Sequence, residues 1–334
     1  MKQIRFLNSY NPKSSSTSTI IPCRSPECWP KQKQCHLMHK SGGKAVAACP
    51  YQVDYMTYNT SSKGILVKDI LHLETYDQKR RPCKAPIIFR CGMIETGANL
   101  EDGTINGLLG LGFNTPLDLP GMLASQGLVP NSFSLCFGLD GKGRLAFGDK
   151  GSSAHMRTPL DPDDEDYNIQ IEKICVDDIV SNVAFVALVD SGTSFTRLNE
   201  QAFFFIAENY CYTPRTNHTT HRTPSLTLRM KGGADFDVLT PTFITIFPGL
   251  DGPVYCLGIL KNENIDINII GQNFMMGYDI VYDREESILG WKQSDCIIKE
   301  AKTTPSSKAS GATMRSIVVG FLLLFSCGYI YFVP

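Results

Sequence analysis

Much of the chain alternates apolar and polar residues with a period of two, the pattern of strands buried on one face. Cys49–Tyr55 alternates in this way, a polar stretch runs from Met56 to Lys63, and Gly64–Leu73 resumes the pattern, which predicts a hairpin. Pro86–Gly92, Asn131–Phe137, Gly143–Asp149, Asn168–Val176, Val183–Asp190, Tyr278–Asp283 and Ile288–Trp291 read as further strands. Helical spacing is confined to short pieces. Pro120–Gln126 predicts one short helix, and Glu200–Tyr210 predicts a longer one with an apolar face. Tyr10–Ser18 is polar and turn-rich, and Asp161–Asp166 is an acidic run; both read as solvated loops. From Lys299 the composition shifts to Lys, Thr, Ser, Ala and Gly, and Ile317–Val333 is then almost wholly apolar.

Composition narrows the class. A chain of 334 residues is long enough for two globular units. A net charge of −1 gives no electrostatic case for nucleic acid or for an anionic membrane surface. Twelve cysteines point to an oxidising compartment, and the sequons at Asn59 and Asn217 agree with that. Met1–Asn8 lacks the apolar core and small-residue cleavage site of a signal peptide, so a secretory start is expected upstream. Cys23, Cys28, Cys35 and Cys49, with His36 and His39 among them, match no standard zinc spacing. Disulfides are the expectation there, with a zinc-binding surface domain as the distant alternative.

Chemistry concentrates in Ala187–Phe195. An apolar strand-like run delivers Asp190 into a Ser191-Gly192-Thr193 turn and then returns to apolar residues. Gly192 lets backbone N–H groups approach the carboxylate, and the Ser191 and Thr193 hydroxyls are potential donors. A carboxylate presented this way at a cleft floor can share a proton with a second carboxylate and polarise a water between them. An ordinary Asp-Ser-Gly surface turn is the bland alternative.

The stretch resembles the Asp-Ser/Thr-Gly signature of pepsin-like aspartic proteases, which carry it once in each lobe. Here Asp-Ser-Gly-Thr occurs once; Asp102-Gly103-Thr104 lacks the apolar lead-in. Further matches occur in family order. Tyr10–Ser18 resembles the loop that follows the first catalytic strand in plant members, so the sequence reads as starting just past that strand. The cysteine-rich stretch resembles the insert of nepenthesin-like enzymes. The hairpin resembles their flap, with Tyr55 as the substrate-facing tyrosine and Tyr58 as the alternative; a glycan on Asn59 would then sit at the flap tip. Asn106–Gly112 is similar to the hydrophobic-hydrophobic-Gly element beneath the first active-site loop, and Ile269–Gln272 is its second-lobe counterpart, followed by a short helix and a closing hairpin. Asn106–Gly112 is not a nucleotide loop, because no Lys-Ser/Thr follows its glycines.

The resemblance implies a mostly β, two-lobed acid-protease fold whose first lobe is incomplete. Residues 1–157 would form the first lobe, 158–166 an acidic connection, 167–298 the second lobe, 299–316 a polar linker and 317–334 a hydrophobic tail. It also implies a Cys211–Cys256 pair and a Cys136–Cys296 tie. Eleven cysteines precede the tail, an odd number, and Cys91 is expected to stand unpaired.

The implied function is an aspartic endopeptidase acting on extended polypeptide, with no metal or organic cofactor. Asp190 would be one member of the dyad. With one such aspartate present, the chain as written is expected to be inactive; the alternative is a pseudo-protease that binds peptide or a protein partner. The small residues, polar spacer and apolar end resemble a GPI-attachment signal, with Ser306 or Ser307 as the site, or else a single transmembrane helix. Either would place the protein at the cell surface.

Overall fold

The computed structural model describes residues 10–28, 35, 38–41, 44–54, 61–75, 81–96, 109–113, 115, 117–161, 164–210, 224–245, 254–262, 267–296 and 317–321. The chain opens with β1 (Thr19–Ile20), the hairpin β2 (Met38–Ser41) and β3 (Lys44–Ala47), then β4 (Pro50–Asp54), β5 (Ser61–Glu74) and β6 (Pro82–Thr96). After α1 (Leu119–Ser125) come β7 (Ser132–Phe137), β8 (Gly143–Phe147) and β9 (Met156–Pro159). The next run is β10 (Asn168–Val176), β11 (Ile179–Ser181), β12 (Phe185–Val189) and β13 (Thr196–Leu198), then α2 (Glu200–Tyr210), β14 (Leu226–Met230) and β15 (Asp235–Asp237). A hairpin of β16 (Thr242–Thr245) and β17 (Val254–Leu257) leads to β18 (Ile259–Lys261), β19 (Asn268–Ile270) and α3 (Gln272–Met275). The closing strands are β20 (Tyr278–Asp283), β21 (Ile288–Gln293) and β22 (Ile317–Phe321).

These strands form three main sheets. The first joins β1, β5 and β4, with β6 also on β5. Its β5–β6 ladder runs from Ser61 opposite Thr96 to Glu74 opposite Pro82 and shifts register between Lys63 and Gly64. Both strands extend well past the predicted 64–73 and 86–92, because each supplies the other's backbone partners along the whole length. Asp69 on β5 clasps the preceding segment: its carboxylate accepts from Tyr10 Oη and Thr17 Oγ1, both at 2.5 Å.

The second sheet has eight strands in the order β15-β14-β10-β12-β19-β13-β18, with β11 on β10. Its β12–β19 and β13–β18 contacts are parallel. The third runs β22-β8-β7-β20-β21-β9 and so draws strands from both halves of the sequence. One apolar cluster joins the sheets: Leu119 and Leu123 of α1, Phe133 of β7 and Trp291 of β21 pack with Ile171 of β10. Burying each such side chain contributes about 1.5–3 kcal/mol.

Two covalent and ionic ties fix the closing hairpin. Cys296, just after β21, is disulfide-bonded to Cys136 on β7. Arg284, in the β20–β21 turn, donates to both Asp118 carboxylate oxygens at 2.7 and 3.0 Å, and both side chains are buried. Asp118 is also the N-cap of α1, accepting from Gly121 N–H. Further upstream, Cys23 is bonded to Cys35 and Cys28 to Cys49, so none of these sulfurs is a free thiolate for zinc.

The apolar tail is not helical where it is described. Ile317–Phe321 forms β22, antiparallel to β8 at the edge of the third sheet. Among the described residues no helix is long and apolar enough to cross a membrane. Ser306 and Ser307 lie outside the described residues, as do Tyr55, Tyr58, Asn59, Cys211 and Asn217.

Candidate active site

The Asp190 loop is assembled by strands on both sides of β12. The run Phe185–Val189 is buried at every position but Val186. It pairs antiparallel with β10, Ala187 opposite Ile169, and parallel with β19, Val189 opposite Ile270. A strand buried between two neighbours ends at a fixed place, so Asp190 emerges at a fixed place too. Its own N–H donates to the Ile270 carbonyl at 3.0 Å.

The turn residues then close on the carboxylate. Gly192 N–H donates to Oδ1 at 2.7 Å, and the Thr193 hydroxyl donates to Oδ2 at 2.5 Å. Each oxygen therefore has one donor. Ser191 is buried beside it, but among the described residues the donors to the carboxylate are Gly192 and Thr193. Burial raises the Asp190 carboxyl above its ordinary value, these two donors pull it back, and the nearby Asp166 charge raises it again. Asp190 thus holds its proton to a higher pH than a free aspartate.

The return of the loop is clamped from α3. Gln272 N–H donates to the Thr193 carbonyl at 2.7 Å, and Asn273 N–H to the Ser194 carbonyl at 3.2 Å. Gly271 N–H donates to Thr196 Oγ1 at 3.0 Å. This approach requires glycine: a Cβ at Gly271 would lie 2.7 Å from the Thr193 carbonyl oxygen and 2.8 Å from Phe195 backbone carbon. The Asn273 side chain locks the same corner. Its Oδ1 accepts from Thr196 N–H at 2.9 Å and its Nδ2 donates to the Gly258 carbonyl at 2.7 Å. Asn268 does the same one strand away, accepting from Asn199 N–H at 2.6 Å and donating to the Val186 carbonyl at 3.0 Å.

Tyr167 links this loop to the first half of the sequence. Its carbonyl accepts from Val189 N–H at 3.0 Å, and its buried hydroxyl donates to the Leu111 carbonyl at 2.7 Å. The described part, 109–112, of the Asn106–Gly112 element predicted to lie beneath an active-site loop is therefore tied through Tyr167 to the residue beside Asp190. Sequence reasoning named neither Tyr167, Thr196, Asn268 nor Asn273 as part of the site. Their only signal was a polar residue at the edge of an apolar run.

Of the expected cysteine pairs, Cys136 and Cys296 are joined, as described above. Among the described residues Cys83, Cys91, Cys175 and Cys256 form no disulfide, Cys211, the partner expected for Cys256, lies outside them, and burial pushes the Cys91 thiol up.

Comparison with known proteins gives the same direction. Residues 5–149 match the family model described as "Xylanase inhibitor N-terminal", and residues 205–293 match "Xylanase inhibitor C-terminal". Aspartyl protease family protein 1 of Arabidopsis thaliana is 41% identical over 92% of this chain and 62% of its own length. Aspartic proteinase-like protein 1 of the same plant is 34% identical over 92% of this chain and 61% of its own length. The chain thus spans about three fifths of the curated relatives it matches. Among solved structures, conglutin gamma, a basic 7S globulin from lupine seeds, superposes with a TM-score of 0.64 at 21% identity, covering 84% of this chain and 83% of that one. Basic 7S globulin from soybean gives 0.64 at 18% identity, covering 84% of each chain. These likenesses establish the fold.

Proposed function

We infer the function from one premise: the chain belongs to the plant family of pepsin-like aspartic proteases. The reading is an aspartic endopeptidase in which Asp190 is one carboxylate of a dyad. The observation that carries it is the Asp190 loop, a half-buried carboxylate with one donor on each oxygen and a raised proton affinity.

In such a pair one carboxylate takes a proton from a bound water, while its protonated partner polarises the scissile carbonyl. The handling of paired acids sharing one proton is general to this chemistry, and no covalent intermediate forms. The substrate is an extended polypeptide. We place the acidic run 161–166 as the connection between two lobes and Tyr55, or Tyr58, as the flap residue over the substrate. We also place the protein in the secretory pathway, which the three disulfides among the described residues support, with the apolar tail as its membrane attachment.

A second reading has its own observation. The sequence holds one Asp-Ser-Gly-Thr loop, and both matching family models are described by the word inhibitor. On that reading the chain binds peptide or a protein partner without cleaving it.

One experiment separates them. The 334-residue chain is assayed at acidic pH on an unstructured protein substrate, alone and extended ahead of Met1 by an Asp-Thr-Gly-Ser segment from the family. The endopeptidase reading expects no cleavage by the first and acid-optimum, inhibitor-sensitive cleavage by the second, abolished by Asp190→Asn. Substrate binding without cleavage in both forms supports the pseudo-protease.

A further inference from the structure

We propose that Asp166, two residues ahead of β10, is a positioning residue that modulates the charge state of Asp190. The proposal rests on the reading of Asp190 as the reactive carboxylate. The ladder between β10 and β12 pairs Asn168 with Leu188, and the bond from Val189 N–H to the Tyr167 carbonyl carries that register one residue further. Asp166 and Asp190 are the residues that adjoin this last bonded pair, one on each chain segment. The Asp166 backbone is pinned there: its N–H donates to Asp164 Oδ1 at 3.2 Å, and its carbonyl accepts from Asn168 N–H at 2.9 Å. Two carboxylates therefore flank one bonded pair of residues, and like charges brought close repel.

The surroundings leave little to offset that repulsion. Toward Asp190, the β10 lead-in presents Asp166 and, behind it, Asp164 and Glu165, whose charges raise Asp166 after the effect of its own burial. β20 presents the buried phenol Tyr282, which feels the Asp190 charge, and Tyr167 adds a second buried phenol. β19 and α3 contain no charged residue, and the cation on β13, Arg197, stands opposite Ile269. The loop itself supplies only the neutral donors Gly192 and Thr193. The Asp166 side chain is partly open to solvent. It touches no reacting atom and acts only through Asp190.

The test follows the Asp190 carboxyl directly. The full chain is prepared with carbon-13 in its aspartate carboxyls and titrated by NMR, with Asp190→Asn assigning the signal. In Asp166→Asn the Asp190 midpoint is expected to fall by about half a pH unit or more, while Asp166→Glu, which restores the charge, keeps it high. An unmoved midpoint in Asp166→Asn with the β10–β12 amide signals intact overturns the proposal, and so does an equal fall in Asp166→Glu. No substrate is involved, so an absence of peptidase activity leaves this result standing. Peptidase activity with an unmoved midpoint overturns this proposal alone.

Discussion

Leu109-Gly110 and Ile270-Gly271 are the same short motif in two halves of one chain, and they sit in opposite surroundings. At Gly271 an added Cβ would meet Thr193 oxygen at 2.7 Å and Thr196 nitrogen at 2.9 Å. At Gly110 nothing among the described residues lies within 4 Å. The glycine of the second motif is thus under a direct steric demand from the Asp190 loop, whereas the first is held through its neighbour Leu111, whose carbonyl takes the Tyr167 hydroxyl. The motif marks where backbone is able to approach backbone. Whether it does so depends on what the fold places opposite.

The first half is secured instead by the buried pair of Asp118 and Arg284, and breaking it should give the largest effect. Arg284→Leu strands a buried carboxylate that also caps α1, and is expected to cost about 3–5 kcal/mol in urea denaturation. A loss under about 1 kcal/mol would mean that water reaches Asp118. The glycine contrast comes next. Gly271→Ala should cost about 1–3 kcal/mol through overpacking against the Asp190 loop, while Gly110→Ala should stay within about 0.5 kcal/mol. Equal losses at the two positions would erase the difference between the halves. Asn273→Ala removes the side chain that holds Thr196 and Gly258, and about 1–3 kcal/mol should go with it because Thr196 N–H is left without its acceptor.

The smallest effect is a slope with pH. The folded Asp190 carboxyl binds its proton more tightly than the unfolded one. The folded state therefore holds more protons from about pH 4 up to the raised folded midpoint, and stability falls as pH rises through that window. Asp279 on β20, raised chiefly by burial, contributes with the same sign. Asp235, lowered by its bonds from Arg229, has the opposite sign, and its contribution is lost as pH falls below about 4. Asp190→Asn should flatten the decline in denaturation midpoints above about pH 4, where the folded and unfolded carboxyls differ in charge. A decline of unchanged steepness would place its origin elsewhere, with Asp279 the first candidate.

What could be read from the sequence follows a physical line. The α2 helix occupies Glu200–Tyr210 and β10 occupies Asn168–Val176 as predicted, because α2 carries an apolar face at helical spacing and β10 alternates on both sides of an irregularity between Ile171 and Lys173. The Asp190 loop was legible because its chemistry and its turn are contiguous. Asn268, Asn273 and Tyr167 were not, since each bonds a backbone group far away in sequence, 82 residues for Asn268 to Val186 and 56 for Tyr167 to Leu111. Short strands such as β13 and β18, of three residues each, carry too little periodicity to stand out. The pairing of four early cysteines likewise depended on which loops meet. The tail's apolar run suits a membrane helix or a GPI signal, and five of its residues lie as β22 along β8.

The Cys136–Cys296 bond gives the chain a topology that its strands alone do not. It joins residues 160 apart, so most of the second half is a covalently closed ring with a length of chain on either side. In the chain-entropy picture such a ring disfavours the unfolded state by about 5 kcal/mol. It also changes what a cut means. A protease that nicks any surface loop between those two cysteines opens the ring without releasing a piece, and the molecule keeps its mass until a reductant is added. Maturation or damage by a single cleavage in this region would therefore be invisible on a non-reducing gel and plain on a reducing one.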